Sequence, residues 1–374
     1  MSYLGPKSNF LSGRGSAFTK LDPSDPDVIL ILPGGGVYTF WQALVLISIF
    51  KHTTIGNKIK AIIAESGGAI NTAVAFAGFA QNGEQGVADK LQAFWSFVAP
   101  NAAFGYLLSF LGKDFNDAIA MSARSAGKNF GVHPLVEIIS HFAKGFDAPN
   151  LPPVYVRVTL ASGESVIKRA SDFHDIAASA AYDKIFEPVK TRDLGFCKDG
   201  IHGRSPGLIE HILNIISNNN TILLCIDPFN QTAVKNLPAD LATKISSDLF
   251  AQVGAVLEHV LLDDTRPHHA AVTFSHIRPS IQLPPNILYS DPMSMIRMAL
   301  AGVTDCMNFF SNHHPGFIKS KPTILDFYAT NPFIPINSFQ QAAYRMLCGQ
   351  FPLFPACHHP HTNKAAAHPQ PALP

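Results

Sequence analysis

Three short clusters in this chain have residue types and spacings that could do chemistry. The first is Ala64-Glu65-Ser66-Gly67-Gly68, which separates an apolar run from a Gly/Ala-rich stretch. A serine in a sharp strand-to-helix turn lifts its hydroxyl out of the sheet at the helix N-terminus. There the partial positive charge of the backbone favours an alkoxide or an oxyanion. Its neighbours must be small, because a side chain would collide with the turn or block the substrate. Taken alone, Ser-Gly-Gly fits a plain glycine-rich loop as well as a nucleophile. The second cluster is Gly34-Gly35-Gly36, whose backbone N–H groups can converge on one anionic oxygen without side-chain obstruction. A dinucleotide fingerprint starting at Gly34 would need glycine where Thr39 stands, and a P-loop would need a lysine that Gly36-Val37-Tyr38-Thr39 lacks. The third is Asp199-Gly200, which alone reads as a turn.

The elements around these clusters follow from hydrophobic patterning. Residues 27–33 form a short apolar run that ends on Pro33 and the glycines, as a buried strand does. Residues 38–50 predict a largely apolar helix, 58–64 a second buried strand and 67–80 a second helix, ended by Asn82 and Gly83. Strand, helix, strand, helix predicts an α/β fold: a mainly parallel central sheet with helices on both faces. An apolar helical region follows to about Leu111. Residues 154–160 alternate as a strand, with 165–170 as its hairpin partner or continuation. Short helices are predicted at 175–181 and from 206 to 217, a strand at 221–226, and helices at 240–262 and 292–310. These divide the chain into an irregular lead-in (1–26), one catalytic-type domain (27–349) with additional C-terminal helices from about 230, and a Pro/His/Ala-rich tail (350–374) read as disordered.

Composition bounds what such a domain can do. Hydrophobic residues make up 47% of the 374 and charged residues 15%, enough for a sizeable core and too little charge for a disordered chain. The net charge of +1 provides no global field for nucleic acid or anionic lipid, and no nucleic-acid partner is expected. Five scattered cysteines without a C-x-x-C pair fit neither a disulfide framework nor a cysteine zinc site. No metal and no cofactor are expected; the tail residues Cys357, His358, His359, His361 and His368 offer at most incidental metal binding. Residues 1–26 lack the apolar core of a secretory signal. Residues 94–111 are uncharged, and their 18 residues reach the lower limit for a span, but Pro100-Asn101 interrupts them. They read as two apolar helical pieces, packed in the core or lying against lipid as a lid, with Trp95 and Leu108 as candidate lipid contacts. A cytoplasmic or peripherally membrane-associated protein is expected.

The order of the clusters carries more than each one alone. Ser66 follows Gly36 by 30 residues; then come Ile176-Ala-Ala-Ser-Ala-Ala181, Phe186-Glu-Pro-Val189 and Asp199-Gly200, with Arg204-Ser205-Pro206 beyond. In that order and spacing the chain resembles the patatin-like phospholipases: an oxyanion loop after the first strand, a G-x-S-x-G serine, an A-S-x-A helix with F-x-P-V behind it, and a D-G-G/A aspartate. The resemblance spans about residues 27–212, with a looser echo at 293–301. Val37-Tyr38-Thr39 stands where the family usually has a cation, Ala64 where the serine motif has its first glycine, and Ile201 where D-G-G/A has its last small residue.

The resemblance implies a three-layer patatin-like fold and a lipid acyl hydrolase of phospholipase A or lysophospholipase type, releasing fatty acid. Ser66 would be nucleophile, Asp199 its direct base, and the amides of Gly34, Gly35, Gly36 and Gly67 the oxyanion hole. The implied partners are a phospholipid or other acyl lipid, a membrane surface contacted peripherally, and a protein activator of unknown identity. Two alternatives remain. One is a serine–histidine–aspartate triad using His174 or His202, although in α/β-hydrolases the acid precedes the histidine and the glycine loop lies farther upstream. The other is a non-catalytic lipid-binding or scaffolding protein on a degraded hydrolase fold.

Overall fold

The computed structural model describes residues 26–110, 134–183, 186–203, 221–229, 272–284 and 292–323, with backbone alone for 99–110. All lie in the unit Met1–Phe333; the second unit, Ile334–Pro374, falls outside the described residues, as do the lead-in up to residue 25, the helices expected at 206–217 and 240–262, and the tail.

The centre is a sheet of eight strands. Apolar runs without alternation form strands buried on both faces: β1 (Asp27–Leu32), β2 (Ile59–Ala64) and β7 (Thr221–Ile226). β3 (Val154–Leu160) and β4 (Ser165–Arg169) form the expected antiparallel hairpin. β5 (Val189–Thr191), β6 (Gly195–Asp199) and β8 (Val272–Ile277) complete the order β5-β6-β3-β2-β1-β7-β8, with β4 also paired to β3. The pairs β1–β2, β1–β7, β2–β3 and β7–β8 are parallel, and those of β3 with β4 and β6, and of β5 with β6, are antiparallel. The sheet is thus mixed and mostly parallel. Val28, Leu30 and Leu32 join the main core on one face of β1, while Ile29 and Ile31 are buried on the other.

Among the described residues five helices pack with it: α1 (Thr39–His52), α2 (Gly67–Phe110), α3 (Pro134–Phe142), α4 (Phe173–Ala180) and α5 (Pro292–His313). α1 is buried almost throughout, so it is apolar all round rather than striped. α2 breaks at Asn82 and at Gly83, whose φ of 55° is left-handed. Beyond the break the chain doubles back: Trp95 Nε1 donates to Asn71 Oδ1 at 3.0 Å, although 24 residues of straight helix would span about 36 Å. The second half continues through Pro100 to Phe110 rather than stopping there as expected. A helix can forgo the one N–H bond that proline lacks when packing holds it. No helix of the described residues is long and apolar enough to cross a membrane.

The two halves of α2 touch where neither has a side chain. A Cβ on Gly78 would lie 2.1 Å from the Gly86 carbonyl oxygen, and one on Gly86 2.0 Å from that of Gly78. Both obstacles are backbone and cannot swing aside. Gly78→Ala should therefore destabilise the fold by about 1–3 kcal/mol, against the usual gain of a helical alanine. The midpoint of urea unfolding measures this, and a rise would contradict the close crossing.

Candidate active site

Ser66 and Asp199 are brought together by a competition for one edge of β3. Val156 pairs with Ala64 of β2 and with Lys168 of β4, so β2 and β4 occupy opposite edges. Val158 pairs with Val166 of β4 and with Asp199 of β6, so β6 also lies opposite β4. β2 and β6 therefore share one edge of β3 and approach each other end to end. β2 stops at Ala64, level with Val156; β6 stops at Asp199, level with Val158. Two residues of strand, roughly 7 Å, separate the two ends. β2 cannot continue along that edge, and the chain turns out of the sheet at Glu65-Ser66.

Ser66 takes the strain of the turn. Its φ of 52° is left-handed, the only such value at a non-glycine among the described residues. Such a conformation costs of order 1 kcal/mol or more and persists only where the surroundings impose it. Here the Ser66 amide donates to both the carbonyl and the hydroxyl of Ser179, each at 3.1 Å. The Asp199 amide donates to the Ala181 carbonyl at 3.0 Å. Both residues thus hang from the C-terminal end of α4, two positions apart. The other end of α4 is fixed by Asp172, which caps it, and by buried Asp175, which binds Lys168 at 2.6 Å and Ser171.

The glycines around Ser66 are required by close approach. A Cβ on Gly34 would lie 2.7 Å from that of Ser66, one on Gly67 2.4 Å from Thr39 Oγ1, and one on Gly68 2.4 Å from the Leu32 carbonyl oxygen. Gly36 has a left-handed φ of 51°. Carbonyls of the loop are tied back, Gly36 by the Thr39 hydroxyl at 2.7 Å and Pro33 by Gln42 at 3.1 Å. The amides of Gly34, Gly35, Gly36 and Gly67 enter none of the backbone hydrogen bonds of the described residues. Ser66 and Gly34 are partly accessible, whereas Asp199 is buried.

Asp199 ends β6 rather than lying in a loop as the Asp–Gly pair suggested. One carboxylate oxygen accepts the Ile201 amide at 3.1 Å. Its carbonyl accepts the Thr159 hydroxyl, and that of Gly200 the hydroxyls of Thr159 and Ser165. Gly200 must be glycine because the chain crosses Arg157 there, 2.8 Å from its Cγ to a built Cβ. The hydrogen bonds that hold Ser66 are those of its backbone.

The histidines of the triad alternative have other partners. His202 stacks on Tyr182 with centroids 5.1 Å apart, and its Nε2 lies 3.2 Å from the Asp183 carboxylate. His174 is in the first turn of α4, 3.7 Å from Asp172. Trp95 is corrected as a lipid contact: 4% exposed, it packs on Phe40 and Phe94 and spends its N–H on Asn71, which makes it a core residue. The Leu108 side chain lies outside the described residues. Of the three departures, Ala64 is paired with Leu32 and Val156 in β2, Val37 is buried, and Ile201 packs partly against the core.

Sequence reasoning missed several residues here. Glu65 and Arg157, each 2% exposed at the side chain, form an ion pair at 2.8 Å directly beneath the serine turn. Asp227, level with Arg278 just past the ends of β7 and β8, binds it at 3.2 Å. Burial pushes the Asp227 carboxyl up, against the pull of Arg278 and the Phe229 amide. Pro228 and Phe229 pack against Gly35, so this pair lies beside the glycine loop with the Arg278 side chain 45% exposed. An isolated arginine or an unusual serine neighbour has no motif, and only the fold reveals them. No group of three or more metal-ligating side chains occurs among the described residues.

No protein-family model and no curated protein matches this chain. Among solved structures it is similar to VipD from Legionella pneumophila, at 12% identity and a TM-score of 0.38, over 87% of this chain and 77% of that one. It is also similar to the type III effector protein ExoU, at 10% identity and a TM-score of 0.32, over 77% of this chain and 53% of that one. The ExoU–SpcU complex from the type III secretion system of Pseudomonas aeruginosa gives 12% and 0.26, over 77% of this chain and 59% of that one. At these values the likeness transfers no function, and the site is read from its own geometry.

His276, two residues before Arg278, is half-buried in β8, and its desolvation, followed by the arginine charge, pushes its pKa down to about 3. The folded protein keeps this imidazole neutral while an unfolded chain protonates it near pH 6.5. Its contribution is complete above pH 6.5 and is lost as the pH falls toward 3. Between pH 6.5 and 4 the wild type should lose about 3 kcal/mol that His276→Gln does not lose, measured by urea unfolding at each pH. Parallel losses in the two proteins would contradict the assignment.

Proposed function

We propose that this chain is a serine acyl hydrolase that cuts ester bonds in lipids, with Ser66 as nucleophile and Asp199 as its direct base. The observation that supports it most is the meeting of β2 and β6 on one edge of β3. It leaves a left-handed serine at a helix N-terminus facing the end of a strand that carries a buried carboxylate. In the first step Ser66 Oγ bonds to the ester carbonyl carbon as its proton passes to Asp199. The oxyanion is held by the Gly34, Gly35, Gly36 and Gly67 amides. Each such donor is worth about 3 kcal/mol of barrier. The tetrahedral intermediate expels the alcohol, which takes the proton from Asp199. Water, deprotonated by the same carboxylate, then cleaves the acyl-serine and releases fatty acid.

The lipid substrate is favoured by the large apolar side chains the described surface exposes, Phe97, Phe196, Met293 and Leu300. For a phosphate-bearing lipid, Arg278 takes the place of the cation absent at Val37. Its Nε is spent on Asp227, whose neighbours Pro228 and Phe229 pack against Gly35, and its side chain is 45% exposed. The competing reading, a lipid binder without turnover, rests on the atypical residues Val37, Ala64 and Ile201 around the site.

Wild type, Ser66→Ala and Asp199→Asn proteins should be treated with a fluorophosphonate probe and assayed for fatty acid release from mixed phospholipid vesicles. Ser66→Ala is expected to lose all label, and Asp199→Asn to label at least about 100-fold more slowly. Folded wild type that neither labels nor releases fatty acid would leave the binder. Arg278→Gln should lower phospholipid turnover about tenfold or more and leave hydrolysis of a short neutral ester within about twofold. Equal loss on both substrates would remove Arg278 from headgroup recognition.

A further inference from the structure

Arg157 is among the largest fully buried side chains, and it sits at the one level of β3 that neither β2 nor β6 covers. Its guanidinium reaches out of that gap in two directions. Nη1 donates to Glu65 Oε2 at 2.8 Å, on the residue immediately before Ser66. Nη2 donates to the Gly203 carbonyl at 3.1 Å, at the end of the short 3-10 turn (Gly200–His202) that follows Asp199. The Arg157 carbonyl accepts the Ser179 hydroxyl at 2.7 Å, and that hydroxyl in turn accepts the Ser66 amide. The stem of the side chain is the surface over which Gly200 crosses.

We infer that Arg157 is a positioning residue that spans the β2–β6 gap and sets the separation of the serine turn from the aspartate turn. The planar fork explains why arginine stands there: its two terminal nitrogens are fixed at one angle, so both turns are referred to one rigid group. A lysine could reach one partner and not both. Stability alone is a poor account of the pair, because a buried ion pair replaced by apolar residues of similar size is often no less stable. What apolar residues cannot supply is a directional link from Glu65 to Gly203. The catalytic consequence rests on the reading of Ser66 and Asp199 given above; the mechanical link does not.

The test compares wild type with Arg157→Lys and with the double variant Glu65→Gln/Arg157→Met, which leaves no buried charge unpaired. Amide hydrogen exchange reads the mechanical link without any assay of activity. In the double variant the amides of Ile201 and Gly203 should exchange about tenfold faster or more, while those of β1 remain at wild-type rates. Unchanged rates at Ile201 and Gly203, or equal acceleration in β1, would overturn the inference. On p-nitrophenyl butyrate, kcat should fall by about 100-fold with KM within about twofold, as expected for misplaced reacting groups. Arg157→Lys should fall between the two. A double variant within about threefold of wild-type kcat would also overturn the inference. Should wild type neither turn over ester nor label at Ser66, the hydrolase reading fails and the exchange result alone decides the role of Arg157.

Discussion

The site depends on a single edge of β3 having to serve two strands. A parallel strand and an antiparallel strand cannot both continue along it, so β2 and β6 end facing each other and both chains must leave the sheet. The departure of β2 produces the turn at Ser66, and that of β6 the turn after Asp199. The left-handed serine is thus a consequence of topology before it is a device of chemistry. Without β6 on that edge, β2 would be free to run on, and Ser66 would occupy an ordinary strand position.

A site made this way demands small residues in several unrelated stretches of sequence. Gly34 clears the serine, Gly67 clears Thr39, Gly68 clears the end of β1, and Gly200 clears Arg157. These glycines belong to three motifs yet answer to one crowded volume. The polar side chains nearby have the complementary task of tying down backbone that no ladder reaches. Gln42 holds Pro33 and Ile226, Thr39 holds Gly36, Thr159 and Ser165 hold the Asp199–Gly200 carbonyls, and Ser179 holds Ser66. Each such bond is worth about 1 kcal/mol net, so their chief effect is to fix the turns rather than to stabilise the protein.

Much of this was legible in the sequence, and the rest was hidden for identifiable reasons. Short apolar runs gave β1, β2 and β7 almost to the residue, because largely buried strands need no alternation to be recognised. Asn82-Gly83 marked the break in α2 because a left-handed glycine ends helices. Pro100 misled, since a proline inside a packed helix removes one bond and need not end it. β5 and β6 were invisible at three and five residues, too short for a period, so Asp199 was read in a loop. Trp95 was offered to lipid because an uncharged segment does not reveal which of its faces is buried. Arg157 and Glu65 were passed over since ion pairs 92 residues apart leave no local pattern.

The pair also has an electrostatic role that the position of Glu65 makes necessary. On the proposed reading of Ser66 as nucleophile, a bare carboxylate on the residue before it would stand about 6 Å from a developing oxyanion. At an effective dielectric near 20 it would oppose that charge by roughly 3 kcal/mol, as much as one oxyanion donor supplies. Arg157 cancels this field at its source, with both groups out of water. The Asp199 carboxylate accepts a backbone amide, that of Ile201. Two buried carboxylates thus flank one serine, one of them paired with a guanidinium. On the proposed reading, with Asp199 as base, the guanidinium keeps the other carboxylate beside the serine occupied.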